Sequence, residues 1–393
     1  MSRAVVLGAG MVGSVMATDL ATDFDVTLAD LRQENLDKAA ARAAHAKVDK
    51  RLRTVTADLS DSKAIGSLIA DLGPTDIVVG ALSSHLGFAA LRTVIEKGKN
   101  YCDISFMGED APDLSTLAKE RGSTCIVDMG VAPGMSHLLA AHGARQLASC
   151  DSIAIYVGGL PRERKMPFQY KAGFAPADVI EEYTRPTRLV RHGRIETAEA
   201  LSEPEFLDFA ELGTLEAVNT DGLRSLVYTH SVPNMKEKTL RYPGHYDLMR
   251  VFKAAGLFSK EPVAVPALNG KVMVRPLDAT SAVLFPQWTY VPGEEDLTVM
   301  RITASGVAHH GARRMLTWDL FDRYHVPTQA TSMSRTTAFP CTITARLIAS
   351  GKLTSIGPGV HPPETLATVL GITDHILAEL ARRGVNYTHS AQD

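Results

Sequence analysis

The sequence predicts an α/β protein: an N-terminal doubly wound parallel sheet, an interposed α+β substrate portion and a helical return at the C-terminus. Three observations predict it. A strand, glycine turn and helix stand at the very start, Ala4-Val5-Val6-Leu7 running into Gly8-Ala9-Gly10-Met11-Val12-Gly13 and then Ser14 to Leu20. Strand-type and helix-type stretches alternate through the first 128 residues, the pattern of parallel strands joined by crossover helices. After Asp128 the rhythm breaks into short strands separated by Pro and Gly, and past residue 330 it turns helical again. The expected divisions are 1–128, 129–330 and 331–393.

Taken in order, Asp25–Ala29 reads as the second strand and Gln33–Lys47 as a helix. Thr54–Thr56 is a short third strand, followed by a helix over Ser62–Leu72 that Ser60-Asp61 can cap. Asp76–Gly80 is a continuous apolar run of the buried parallel kind. A turn from Ala81 to His85, a helix to Lys97, a strand over Tyr101–Ile104, a helix over Pro112–Arg121 and a strand over Thr124–Asp128 complete six strands. Beyond them, Ile153–Gly159 reads as strand and Tyr246–Ala255, Thr342–Ala349 and Pro363–Arg383 as helix.

The opening turn carries the first chemistry. Gly8 allows the sharp turn, Gly10 lets a pyrophosphate reach the backbone, and Gly13 lets helix and strand pack closely; the helix N-terminus offers free N–H groups to phosphate. A glycine turn alone is a weak signal. Here it has the required strand-to-helix context, and Asp30 ends the next apolar run about 20 residues on, where a carboxylate can accept the ribose 2′-hydroxyl. This predicts a dinucleotide, NAD in preference to NADP, although Arg32 could pair with a 2′-phosphate. In such sheets ligands lie past the C-terminal strand ends. That rule adds Asp58 and Leu59, Ala81, Leu82 and Ser83 to the cofactor set of Gly8, Gly10, Met11, Val12, Gly13 and Asp30, and places Asp103 and Asp128 near the nicotinamide end. Capping or solvation explains Asp58 equally well, and each Asp can serve as a turn cap.

Bulk properties exclude several classes. Hydrophobic residues make 45% and charged residues 22% of the chain, as in ordinary globular proteins. A net charge of −3 gives no footprint for nucleic acid. No run approaches the roughly 18 apolar residues of a membrane span, and no signal peptide is read. Cys102, Cys125, Cys150 and Cys341 show no paired spacing, which predicts a reducing cytoplasm and no disulfide framework. The adjacent His309-His310 would face opposite ways on a strand, and no metal motif occurs, so no metal is expected. The GxSxG elbow and the phosphate-binding GxxxxGK[ST] loop are also missing.

Three stretches remain for catalysis. Val127 to His137 passes through the turn Pro133-Gly134, and His137 opens a helix to Gln146; it could carry a proton or simply cap. Lys238 to His245 contains Arg241, which could clamp a carboxylate through two parallel bonds or form an interdomain salt bridge. Asn219 to Arg224 groups polar side chains at a turn.

The runs YCDISFMGED, VDMGVAPGMSH, YVGGLP, VIEEYTRP, TDGLRSL and MKEKTLRYPGH resemble the saccharopine dehydrogenase-like family, in particular its L-lysine 6-dehydrogenase branch, from residue 1 to about 370. The resemblance implies a Rossmann domain, an interposed substrate domain, and NAD(P)-linked oxidation of an amine. It implies that Gly8, Gly10, Val12, Gly13 and Asp30 hold cofactor and that Asp103, Asp128, His137 and Arg241 surround substrate. Gly108 stands where the family pattern has proline, Met129 where cysteine is frequent and His137 where asparagine is frequent, which weighs against His137 as an essential base.

The expected reaction is oxidation of the ε-amine of L-lysine or a related ω-amino acid. Hydride goes to the nicotinamide, Asp128 or His137 accepts the ammonium proton, and Arg241 holds the α-carboxylate. A small amino-acid substrate and a homodimer or higher homo-oligomer are the expected partners. The alternatives are a saccharopine or opine-type dehydrogenase, which would demand further pocket arginines such as Arg224 or Arg185, and a non-catalytic dinucleotide-binding regulator.

Overall fold

Strands buried on both faces must be apolar throughout, and the first strands obey this: Ala4, Val5, Val6 and Leu7 are at most 3% exposed and Ile77, Val78 and Val79 are fully buried. The computed structural model describes residues 2–268, 270–291 and 293–393. Its N-terminal part has strands β1 (Arg3–Leu7), β2 (Asp25–Asp30), β3 (Leu52–Thr56), β4 (Ile77–Gly80), β5 (Tyr101–Asp103) and β6 (Thr124–Ile126). They alternate with helices α1 (Met11–Leu20), α2 (Gln33–His45), α3 (Ser62–Leu68), α4 (Ser84–Glu96) and α5 (Ser115–Arg121).

Helix α6 (Met135–Arg145) then leads into a mixed sheet. Its strands are β7 (Ser149–Pro161), β8 (Thr187–Arg191), β9 (Arg194–Ala198), β10 (Glu205–Phe209), β11 (Gly213–Asn219), β12 (Asn234–Arg241), β15 (Asp296–Val307), β16 (Arg313–Arg323) and β18 (Tyr387–Gln392). A separate hairpin, β13 (Val263–Ala267) and β14 (Gly270–Val274), stands apart from it. The helices around it are α7 (Pro176–Thr184), α8 (Leu226–Thr229), α9 (His245–Ala254) and α10 (Pro276–Trp288). The chain returns through α11 (Ser332–Ala349), β17 (Gly359–His361) and α12 (Ile372–Arg382).

The parallel sheet has seven strands in the order β17-β6-β5-β4-β1-β2-β3, one more than expected. The extra edge strand β17 is three residues between prolines at 358 and 362, too short and too proline-flanked to announce itself. The strand order reverses between β1 and β4, the switch point past which such sheets bind ligands. The second part holds a mixed sheet, with β7 and β12 parallel and the remaining pairs antiparallel. Its central strands are longer than expected: β15 alternates buried and half-buried residues over most of its length, as one core-facing side requires.

Several helix limits also differ: the helix expected over Ser62–Leu72 ends at Leu68, the one expected over Pro112–Arg121 begins as a 3₁₀ turn at Ala111–Leu114, and two C-terminal helices depart further. The helix expected from Thr342 starts at Ser332, ten residues earlier, where the Thr331 side chain accepts the Ser334 N–H, and Pro340 lies inside it. The single helix expected over Pro363–Arg383 is a 3₁₀ segment, Pro363–Thr368, followed by α12, with Gly371 between them at φ +74. Helix α11 packs on α1, β4 and β5 and also on β15 and β16, so one apolar core runs through both sheets, from Val6 and Met16 to Ile155 and Trp318. Its polar side is fixed to α1: the Asp19 carboxylate accepts from Thr342 Oγ1 and Arg346 Nη1, each at 2.6 Å, and from Arg383 Nε at 2.8 Å. Burial pushes the Asp19 carboxyl up, but the two guanidinium charges outweigh it and hold the carboxyl below its usual value.

Candidate active site

A cleft of about 670 Å³ opens past the C-terminal ends of β1 and β4 and is closed on its other side by the mixed sheet, α7 and the start of α11. Every residue of the expected cofactor set lines it: Gly8, Gly10, Met11, Val12, Gly13, Asp30, Asp58, Leu59, Ala81, Leu82 and Ser83. The glycines are there for reasons of space. Gly8 has φ +101, and a Cβ on it would lie 2.4 Å from the Ala81 carbonyl oxygen; one on Gly13 would lie 1.9 Å from the Gly8 oxygen. Gly10 has nothing within 4 Å of its Cβ position, which leaves its backbone open to a phosphate at the N-terminus of α1.

Asp30 is held before any ligand arrives. Its Oδ2 accepts the Ala9 N–H at 2.7 Å, and its Oδ1 accepts the Arg32 N–H at 2.8 Å and Asn35 Nδ2 at 3.2 Å. A carboxylate offers about four lone-pair sites, so capacity remains for a ribose hydroxyl. Arg32 and Asn35 line the same end of the cleft. The Asp58 Oδ1 accepts from the Ser60 N–H and Oγ, an arrangement that holds the turn and depresses the carboxyl through those bonds.

The four residues expected around the substrate are not brought together. Arg241 reaches the cleft wall; Asp103, Asp128 and His137 are not part of it. Asp103 is fully buried and accepts the Asp128 N–H through Oδ1. Burial and then the neighbouring Asp128 charge push its carboxyl well up. Asp128, at φ +56, turns its Oδ2 to Arg224 Nε at 3.3 Å, and Arg224 also donates to the Met107 carbonyl at 2.7 Å. His137 sits inside α6 with no exposed surface, its Nε2 2.9 Å from the Gly222 carbonyl and its Nδ1 3.5 Å from Glu364. Burial pushes Glu364 up, but the neighbouring His137 and the Thr229 hydroxyl, which donates to its Oε1 at 2.6 Å, hold it down at about 2. The sequence leaves His137 either a proton carrier or a capping residue at the helix start. Instead α6 lies against the mixed sheet and the 3₁₀ segment at Pro363, which turns His137 inward.

Arg241 makes its bonds within one part of the molecule. Its Nε donates to Tyr183 Oη at 3.1 Å, Nη1 to the Leu240 carbonyl at 2.9 Å, and Nη2 lies 3.5 Å from Glu182; its guanidinium stands over the Tyr170 ring at 4.6 Å. None of these partners lies in the parallel-sheet part, so it is not an interdomain bridge. Around it, burial pushes Glu182 up to about 7 and Tyr170 up to about 12, each partly offset by the Arg241 charge. His245, donor or acceptor to Tyr183 Oη at 2.9 Å, is pushed down to about 3 by burial and then by Arg241.

Several lining residues were not expected as site residues from the sequence, Arg185 excepted, which the saccharopine-type alternative had named. Glu237 on β12 is 4% exposed, and Asp178, Glu181, Glu182 and Arg185 come from α7 and its end. Arg185 lies over the Phe106 ring at 5.3 Å, and Arg224 lies over the same ring at 4.5 Å. Ser84 Oγ donates to Asp178 across the mouth at 3.1 Å. The runs VIEEYTRP and KEKTLR contain most of these residues, but only assembly of α7 against β12 shows which side chains face the cleft. Among the described residues no group of His, Cys, Asp and Glu is placed to hold a metal, and no helix is long and apolar enough to cross a membrane.

Comparison with known proteins agrees with this architecture. The saccharopine dehydrogenase NADP binding domain matches residues 4–126, and the saccharopine dehydrogenase C-terminal domain matches residues 130–385. A saccharopine dehydrogenase [NADP(+), L-glutamate-forming] of Schizosaccharomyces pombe is 21% identical over 85% of this chain and 87% of its own. A mitochondrial alpha-aminoadipic semialdehyde synthase of Mus musculus is 24% identical over 68% of this chain but only 29% of its own length. Among solved structures, apo saccharopine dehydrogenase (L-Glu forming) of Saccharomyces cerevisiae superposes with a TM-score of 0.80 at 18% identity, covering 100% of both chains. The homospermidine synthase of Legionella pneumophila in complex with NAD gives 0.60 at 12% identity over 99% of this chain and 91% of its own. From its first glycine turn to its C-terminal return, the chain belongs to the saccharopine dehydrogenase family of oxidoreductases.

Proposed function

We propose that the protein oxidises the terminal amine of L-lysine or a related ω-amino acid with NAD, releasing ammonia and leaving a semialdehyde that closes to a cyclic imine. The observation that carries this reading is the set of side chains at the substrate end of the cleft. Asp178, Glu181, Glu182, Asp221 and Glu237 line it against two cations, Arg185 and Arg241. Asp221 is itself matched by Arg188 at 2.8 Å. Carboxyl groups along this wall can accept hydrogen bonds or a proton from a substrate with more ammonium than carboxylate, and the two guanidinium groups can hold a single α-carboxylate. Arg241 is the buried one of the pair and already oriented.

The parallel-sheet end would bind the dinucleotide, with its pyrophosphate at Gly10 and the N-terminus of α1 and its ribose hydroxyls at Asp30. The bound cofactor supplies the hydride acceptor, and the residues supply position, exclusion of water and proton transfer. Asp30 favours NAD, and Arg32 beside it is the residue through which NADP would be admitted.

A saccharopine-type substrate, a secondary amine with three carboxylates, is the second reading; the named relatives that share most of this chain's length favour it. Arg224, which that reading would recruit, is held away by Asp128 and Met107. The test is NAD-linked oxidation across lysine, ornithine, diamines and saccharopine. A kcat/KM for lysine above that for saccharopine supports the proposal, and the reverse order rejects it.

A further inference from the structure

With Asp103, Asp128 and His137 away from the cleft, the proton of the substrate ammonium needs another acceptor. We infer that Glu237 is the general base that takes it. This rests on the proposed amine oxidation, but applies to a primary or a secondary amine alike. Glu237 lines the cleft from β12. Its Oε2 accepts Thr220 Oγ1 at 2.7 Å and the Gly222 N–H at 3.1 Å. Its Oε1 has no hydrogen-bond partner among the described residues, yet it is not sealed in the core as Asp103 Oδ2 is. One oxygen is therefore anchored and the other is free to accept.

The anchor is itself tightly built. A Cβ on Gly222 would lie 2.4 Å from Glu237 Oε2, and the Gly222 carbonyl is 2.9 Å from His137 Nε2. His137, placed by Glu364, is thus a positioning residue for the turn that holds Glu237. This gives the His137 of the sequence a role one step removed from the chemistry.

The reaction balances without a further reagent. The Glu237 carboxylate takes one proton from R–CH₂–NH₃⁺, leaving R–CH₂–NH₂ and a neutral acid. The freed nitrogen lone pair would then form the C=N bond as the C–H bond on the same carbon breaks, the hydride acceptor being supplied by the dinucleotide that Gly10 and Asp30 would hold. Water would add to the iminium carbon, and the C–N bond would then break to leave the carbonyl product and NH₄⁺ (the primary ammonium where the substrate is a secondary amine). Glu237 would return its proton to solvent through the cleft.

Electrostatics fit this assignment. Burial, reinforced by Glu182 on α7 and Asp221 in the turn and opposed by the Thr220 and Gly222 bonds, pushes Glu237 up to about 8. Arg241 and Arg185 on the cleft wall and Arg188 paired with Asp221 are the cations that face this group of acids. A base of that strength is matched to operation near neutral to mildly alkaline pH. Because its pKa is raised, the active carboxylate form grows as pH rises, and kcat/KM should climb through about pH 8 before levelling.

The experiment measures kcat/KM against pH for wild type, Glu237→Gln, Glu182→Gln and Thr220→Val, with NAD and each of lysine, ornithine, cadaverine and saccharopine. Glu237→Gln should lower kcat/KM by a factor on the order of a hundred or more on every amine that wild type oxidises, and abolish the rise near pH 8. Thr220→Val removes a bond to the charged form and should move that rise to higher pH, which a merely structural role would not do. It also provides the test if Glu237→Gln does not fold. A Glu237→Gln loss within about threefold, or the same rise lost in Glu182→Gln and kept in Glu237→Gln, overturns the assignment. Turnover of saccharopine in place of lysine rejects the proposed substrate while leaving Glu237 to its own profile; turnover of no amine rejects both.

Discussion

Replacing Arg241 with Lys separates a carboxylate clamp from a structural hub, because the two roles have different costs. Lysine keeps the charge but offers one nitrogen in place of the guanidinium fork. Inside the protein the change removes the Nε bond to Tyr183 and the Nη1 bond to Leu240. At about 1 kcal/mol for each such bond, folding stability should fall by about 2 kcal/mol, visible as a lowered Tm. Toward the substrate, losing half of a charge-assisted fork costs about 1.5–3 kcal/mol, a factor on the order of ten to a hundred in kcat/KM. The assay is kcat/KM for lysine and for cadaverine, which has both amines and no carboxylate. Lysine turnover should fall by that factor, and cadaverine, expected to react poorly with wild type, should lose little further. An equal loss on both substrates together with a lowered Tm would show Arg241 to be structural and would remove it from the proposed site.

Other expectations follow from individual contacts. The ratio of kcat/KM for NAD over NADP should exceed one and should invert in Asp30→Ala, where Arg32 is left to face a 2′-phosphate; NADP preference in wild type contradicts the role given to Asp30. Gly13→Ala should weaken dinucleotide binding measured by cofactor fluorescence and lower Tm, since its methyl would overlap the Gly8 carbonyl; normal binding and Tm contradict the packing described. Asp19 has a lowered folded-state pKa, so its contribution to stability is complete above the unfolded carboxyl value and is lost as pH falls through the folded one. Asp19→Asn should therefore cost about 3 kcal/mol at neutral pH, at the lower end for a broken buried pair, because Arg346 keeps Asp23 and Arg383 keeps Glu379. The deficit, followed by chemical denaturation, should shrink as the solution is acidified.

What was legible in the sequence is what local physics decides. The glycine turn, the acid ending β2 and the strand ends at Ala81–Ser83 are set within short runs, and all of them lie on the cleft. The substrate side depends on contacts between distant elements. Glu237 is one polar residue in a lysine-rich strand, MKEKTLR, and only the turn at Thr220–Gly222 distinguishes it from a solvated side chain. His137 was conspicuous at a helix start beside a proline turn, but the face of α6 that meets the mixed sheet carries it into the core. Asp128 was read as ending a strand, but β6 stops at Ile126 and Asp128 lies in the turn beyond it, where its partner Arg224, from a turn about a hundred residues away, engages it. The edge strand β17 went unread for a similar reason, since three residues between prolines carry no periodicity and pair only because β6 offers a free edge.

The most direct measurement of the central claim is the formation of reduced nicotinamide by the purified protein with NAD and L-lysine, followed by absorbance and paired with mass analysis of the product. The account predicts lysine-dependent reduction of NAD, stoichiometric ammonia, and a product of the mass of the cyclic imine. Saccharopine oxidised in preference to lysine, with glutamate and not ammonia released, would contradict it.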